Sequence, residues 1–159
     1  IFGPLSQGVS SKDAIESADK LLNRFGLIEF KNKYPNQLSG GMMRRAELAQ
    51  ALVNSPKVMI LDEPFRGLDV MTRELMQEYY LRLFEDTKLS TVFITAELEE
   101  AIFLADRIFI MSDKPGRIIK VIDVDLPRPR DVSCLTTKRY AELEQEALGA
   151  LYIGREDAL

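Results

Sequence analysis

Apolar residues recur first at a helical period and later in short unbroken runs. Ala14, Ile15, Ala18, Leu21, Leu22 and Phe25 share one helical face. They follow Ser10-Ser11-Lys12-Asp13, which reads as a capping box. Gly26 is the expected stop. After a loop holding Pro35, Ser39-Gly40-Gly41 opens a second helix with Met42, Ala46, Ala49 and Leu52 as its apolar stripe. Asn54-Ser55-Pro56 ends it. The period then changes. Val58-Met59-Ile60-Leu61 is continuous, as expected of a strand buried on both faces. Residues 62–69 read as a loop, and residues 71–85 as a helix with Leu75, Tyr79 and Leu83 on one face. Residues 91–95 predict a second buried strand. Leu98, Ala101, Ile102 and Ala105 predict a short helix, and residues 108–111 a third strand. Asp113-Lys114-Pro115-Gly116 is a turn, and residues 117–124 alternate like an edge strand. Leu126-Pro127-Arg128-Pro129-Arg130 reads as an extended linker before a final helix over 136–151. Strands separated by helices of this length predict an α/β fold with a parallel sheet.

Composition narrows the classes. The 159 residues suffice for one domain, and the balance of 46% hydrophobic and 29% charged residues is that of a globular protein. No apolar run approaches the ~20 residues of a membrane span, so work at a membrane requires docking on another subunit. Ile1-Phe2-Gly3-Pro4 does not read as a signal peptide. A net charge of −4 argues against a nucleic-acid binder. The absence of histidine excludes Ser-His-Asp and Cys-His triads and His-ligated metals. The single Cys134 cannot form an internal disulfide and reads as a small packing residue.

Three segments carry candidate chemistry. In Leu38-Ser39-Gly40-Gly41-Met42, Ser39 stands at a helix N-cap and two glycines permit close approach to the backbone. Free N–H groups and the helix dipole there suit a phosphate, although an ordinary capped helix explains the same residues. Val58–Leu61 delivers Asp62 and Glu63 to a strand's C-terminal end, where open α/β sheets bind ligands. Asp62 suits Mg²⁺, and Glu63 could polarise an attacking water. A plain polar strand exit is the alternative. In Gly67-Leu68-Asp69, glycine permits a turn and Asp69 can cap the next helix.

The order and spacing of these segments resemble the ATP-binding subunits of ABC transporters. Leu38 to Met42 resembles their signature motif, Val58 to Glu63 the Walker B strand with its catalytic glutamate, and Arg66 to Asp69 the D-loop. Met42, Asp62-Glu63-Pro64-Phe65, residues 100–107 and Leu126-Pro127-Arg128-Pro129-Arg130 look like the importers of nitrate, sulfonates, taurine and bicarbonate. The resemblance implies a partial P-loop-NTPase-like sheet with an all-helical subdomain carrying the signature motif. Its expected parts are a helical portion over 1–56, the α/β core over 57–125, and a linker with C-terminal helix over 126–159. It implies ATP and Mg²⁺ as cofactors, with two subunits sandwiching two ATP molecules. Leu38, Ser39, Gly40 and Gly41 would face the ATP held by the partner. Asp62 (metal) and Glu63 (catalytic) would serve the near side, and Asp69 would line the subunit interface. The implied partners are a second ATP-binding subunit, transmembrane permease subunits and, indirectly, a periplasmic or lipoprotein substrate-binding protein. The implied place is the cytoplasmic face of the cell membrane.

Two departures qualify that expectation. No G-x-x-x-x-G-K-[ST] occurs in the sequence, and that loop supplies the N–H cradle and Lys for the β/γ-phosphates. The simplest account is that the preceding part of a longer chain carries it. The family also places a switch histidine just after the strand that follows Walker B, where this chain has Thr95-Ala96-Glu97. Ala96 can neither donate to a γ-phosphate nor hold Glu63 and the water. Two readings follow: a subunit that powers import of a small anion, or a hydrolysis-deficient partner module that completes another subunit's ATP site. A DNA-repair or translation ABC protein would show a basic patch or coiled-coil insertion, and neither is present. Arg66 stands where the subfamily usually has a small residue, and could reach phosphate or face solvent. Strands without neighbours would expose apolar edges, so the isolated chain is expected to aggregate.

Overall fold

The computed structural model describes residues 1–156, with side chains described through Tyr152. It divides into two compact units, one of residues 1–76 and 89–92, the other of residues 77–88 and 93–159.

The first unit begins with helices α1 (Phe2–Ser6), α2 (Ser11–Arg24) and α3 (Gly40–Leu52). Ser10 caps α2 by accepting from the Asp13 N–H at 3.2 Å. The expected reciprocal bond is replaced, because the Ser10 hydroxyl donates to the Asp13 carboxylate at 2.7 Å. Helices α2 and α3 pack together, with Ala14, Phe25, Leu27, Leu48 and Ala49 buried. Leu48, absent from the expected stripe, is buried, whereas Met42 and Leu52 are half-buried. The Arg45 guanidinium donates to the Phe25 carbonyl at 3.0 Å, next to the left-handed Gly26 that ends α2.

Strand β1 (Val58–Asp62) neighbours β2 (Ser90–Ile94) in a two-stranded parallel sheet, with α4 (Val70–Thr87) between them in sequence. The expectation that both strands are buried on both faces is corrected. In β1 only Met59 is buried, while Val58 and Ile60 are exposed. In β2 Val92 and Ile94 are exposed. An unbroken apolar run signals that a strand can be covered on two faces; among the described residues one face of each stays open. In α4 the expected Leu75 is exposed, while Met76, Tyr80, Leu81 and Leu83 are buried. Apolar residues surround that helix, so periodicity alone does not choose its inner face.

The second unit holds α5 (Leu98–Leu104), β3 (Arg107–Met111), β4 (Ile118–Asp123) and α6 (Lys138–Glu156). Strands β3 and β4 form an antiparallel hairpin pairing Ile108 with Ile122 and Ile110 with Lys120. The Ser112 hydroxyl accepts from the Arg117 N–H at 3.0 Å and closes the turn. Helix α6 packs on both strands and on α5. Ile102, Phe103, Ile108, Ile110, Ile122, Tyr140, Leu143 and Ala147 are buried in this unit. Burial pushes the Tyr140 phenol up to about 12, with the charges of Glu99 and Glu144 adding to the effect. Cys134 is buried, in keeping with a packing role.

The supposed linker is an anchor. The Arg130 side chain is 1% exposed. Its guanidinium donates to the carbonyls of Ala105 at 2.7 Å, Phe103 at 3.2 Å, Ile102 at 3.4 Å, Val124 at 3.1 Å and Leu126 at 3.5 Å. Arg128 donates to the Leu104 carbonyl at 3.0 Å and the Asp106 carboxylate at 2.9 Å. The last carbonyls of a helix lack intrahelical donors and carry the negative end of its dipole. Two arginines supply both needs at the end of α5. Desolvation, then the nearby Arg128 charge, pull the Arg130 pKa down, but a guanidinium remains charged. Residues 128 and 129 form a bend in which the Arg128–Pro129 peptide bond is cis. Residues 157–159 of the expected C-terminal part lie outside the described residues.

Candidate functional site

Ser39 adopts extended backbone and caps α3, its hydroxyl accepting from the Met42 N–H at 3.3 Å. Leu38 precedes it in extended conformation, half-buried. Ser39 and Gly40 are exposed, and Gly41 is buried. A methyl group on Gly41 would lie 3.0 Å from the Thr72 side chain, and one on Gly40 3.2 Å from that of Leu68. The glycines therefore let the start of α3 lie against residues 68–72. The close approach that the sequence suggested for a ligand already has a protein partner.

Asp62 ends β1, exposed. Glu63 follows with φ +42°, a left-handed conformation that Ser55 and Lys88 share at helix and loop exits. At Glu63 it costs on the order of 1 kcal/mol and bends the chain sharply off the strand end. The Arg66 N–H closes the turn on the Glu63 carbonyl at 3.1 Å, and Gly67 supplies a further left-handed residue with φ +79°. The Arg66 guanidinium meets the Glu63 carboxylate at 2.7 Å although the Arg66 side chain is 80% exposed. Asp62, Glu63, Arg66 and Arg44 line one open depression. Arg44 is tied there by Glu47 at 2.8 Å and by the Arg66 carbonyl at 3.5 Å. Sequence reasoning left Arg44 out and did not foresee the ion pair of Arg66. The one available signal was a lone basic residue three positions after a glutamate.

Asp69 caps α4. Its carboxylate accepts from the Thr72 hydroxyl at 2.6 Å and from the Thr72 N–H at 3.0 Å. These two bonds, in that order, hold its pKa below the usual carboxylate range. Asp69 thus has a full capping role, and its neighbours Leu68 and Thr72 are the residues that meet Gly40 and Gly41. Within this unit, the signature-like helix start and the loop after β1 are brought together.

Ala96 lies in the second unit, exposed in the bend after β2. The bend is organised by Thr95, whose hydroxyl accepts from the Glu97 N–H at 2.9 Å and donates to the buried Glu100 carboxylate at 2.8 Å. The Ala96 side chain itself offers no polar atom.

Residues 5–66 match the ABC transporter family. The aliphatic sulfonates import ATP-binding protein SsuB of Bacillus cereus is 44% identical over 119 residues, 75% of this chain and 46% of that protein. The nitrate import ATP-binding protein NrtD of Synechocystis sp. is 41% identical over 126 residues, 79% of this chain and 47% of that protein. The chain belongs to the ABC transporter ATP-binding family. A solved ABC structure, cbiO1 of Clostridium perfringens, described as part of the transporter complex cbiONQ, superposes with a TM-score of 0.70 at 25% identity. That match covers 99% of this chain and 59% of cbiO1. The ABC chain spans about half the length of the two import proteins it matches. Its mixed helix and strand fold is that of the ABC ATPases.

Among the described residues no three His, Cys, Asp or Glu side chains gather into a metal cluster. Asp62 and Glu63 are two hard oxygen donors on one depression. Asp62, the donor not paired with Arg66, fits Mg²⁺, which keeps several waters and binds through one or two carboxylates plus phosphates.

Proposed function

We propose that this chain is the C-terminal portion of the ATP-hydrolysing subunit of an importer for a small anion such as nitrate or a sulfonate. The observation that carries the reading is the Asp62-Glu63 pair on the sharp turn at the end of β1, in the same unit as the Ser39-capped start of α3. Asp62 would hold Mg²⁺, which when bound neutralises charge on the transferred phosphoryl group. Glu63 would accept a hydrogen bond from the attacking water and orient it. Leu38, Ser39, Gly40 and Gly41 would present the start of α3 to ATP held by a second subunit, and Asp69 would lie at that interface. Among the described residues no helix is long and apolar enough to cross a membrane. A peripheral position beneath permease subunits, on the cytoplasmic face, accounts for this, with a substrate-binding protein acting through the permease.

Ala96 favours a second reading, in which the chain completes a partner's ATP site and hydrolyses poorly on its own side. Losing one preorganised donor costs on the order of 10²–10³ in rate. The two readings separate in ATP hydrolysis by the gene product that carries these residues. The motor reading expects turnover that Glu63→Gln abolishes and Ala96→His leaves within a few-fold. Turnover that appears only with Ala96→His selects the partner-module reading. Turnover untouched by Glu63→Gln overturns the assignment of Glu63.

A further inference from the structure

We infer that Arg66 is a positioning residue for Glu63, holding its carboxylate in the orientation from which it acts; this rests on the role given to Glu63 above. Three observations support it. The Arg66 Nη1 to Glu63 Oε2 contact is 2.7 Å, at the short end for a charge-assisted bond. The backbone imposes the same pairing, because the Arg66 N–H closes the turn on the Glu63 carbonyl and brings the two residues to one side of it. The Arg66 carbonyl is in turn reached by Arg44, so the turn is held from α3 as well.

The physical need is plain. Glu63 sits on strained backbone at the rim of an open depression, and Ala96 brings no polar side-chain atom to any carboxylate. A free glutamate there would spread over its rotamers, and ordering it for reaction costs side-chain entropy. Misplacement of a reacting group by about 1 Å can cost ~10²-fold in rate. The Arg66 bond uses Oε2 and leaves Oε1 to accept from a water. Arg66 does not touch the phosphoryl group in this assignment; it acts through Glu63.

The experiment is a kinetic cycle in the gene product that carries this chain, comparing Arg66→Ala, Arg66→Lys, Glu63→Gln and the Arg66→Ala/Glu63→Gln pair. The expected result is a ~10-fold fall in kcat for Arg66→Ala, with KM and the dialysis Kd for ATP held within ~2-fold, and partial recovery in Arg66→Lys. Arg66→Ala should add nothing in the Glu63→Gln background. Unchanged or increased kcat in Arg66→Ala overturns the inference, as does a loss confined to KM and Kd, which would place Arg66 on the nucleotide. Wild-type turnover in Glu63→Gln removes the underlying reading instead. A second readout needs no turnover: arginine side-chain nitrogen NMR of the gene product that carries this chain. The Arg66 guanidinium resonances should shift in Glu63→Gln and stay put in Glu47→Gln. No shift in Glu63→Gln overturns the contact itself.

Discussion

Two arginines placed on loops meet opposite environments. Arg66 leaves the turn after β1 with its side chain 80% exposed and bonds one carboxylate. Arg130 leaves a proline-flanked segment with its side chain 1% exposed and bonds five main-chain carbonyls. An exposed ion pair contributes little to stability because water screens it and two long side chains must be ordered. A buried guanidinium that satisfies carbonyls is costly to remove, since each carbonyl is then left without a donor. The same residue type therefore pairs with one exposed carboxylate in one place and anchors the main chain in the other, and burial is what separates them.

The largest test of that contrast is Arg130→Ala. It should destabilise the second unit by about 3–5 kcal/mol, read as a lower midpoint in urea unfolding followed by far-ultraviolet dichroism. A cost below ~1 kcal/mol would mean that water replaces the guanidinium and that the anchor is incidental. Leu143→Ala, at a fully buried position of the same unit, gives the apolar yardstick at about 2–4 kcal/mol. Next comes Ser39→Ala, which removes the α3 cap and should cost about 1 kcal/mol. Arg66→Ala should change the midpoint by no more than about 0.5 kcal/mol. A larger stability loss would turn Arg66 into a structural residue and blur the comparison.

Acid gives a smaller contrast. Asp69, Asp125 and Asp131 all have pKa values held below the carboxylate norm by hydrogen bonds from Thr72, Arg139 and Ser133 respectively. A depressed folded pKa gives stability that is complete above the unfolded value, near 3.9, and is lost as pH falls through the lower folded value. Unfolding midpoints should therefore hold above pH 5 and decline below pH 4, with a shallower decline in Asp69→Asn. On a sizing column the isolated chain is expected to self-associate, because Val58, Ile60, Val92 and Ile94 present apolar strand faces to water. A monomeric profile with one cooperative transition would refute that expectation.

Much of this was legible in the residues. The helix opened by Ser10, the cap at Ser39, the strand from Val58, the α/β class and the turn at 113–116 follow from period, capping chemistry and Pro-Gly punctuation. These are local effects, and local sequence encodes them. The inner face of α4 was not legible, because apolar side chains lie all round that helix and only neighbours choose among them. The Arg130 anchor was hidden because its bonds reach back 25 to 28 residues to the end of α5, and nothing in Pro-Arg-Pro-Arg names carbonyls so distant. The sequence by itself named the candidates for chemistry, Asp62, Glu63 and the Ser39-Gly40-Gly41 start, since spacing and residue type are local. Only the tertiary structure decided that Gly40 and Gly41 meet Leu68 and Thr72 and that Arg130 is buried. Those outcomes depend on which surfaces exclude water together, a property of the folded chain as a whole.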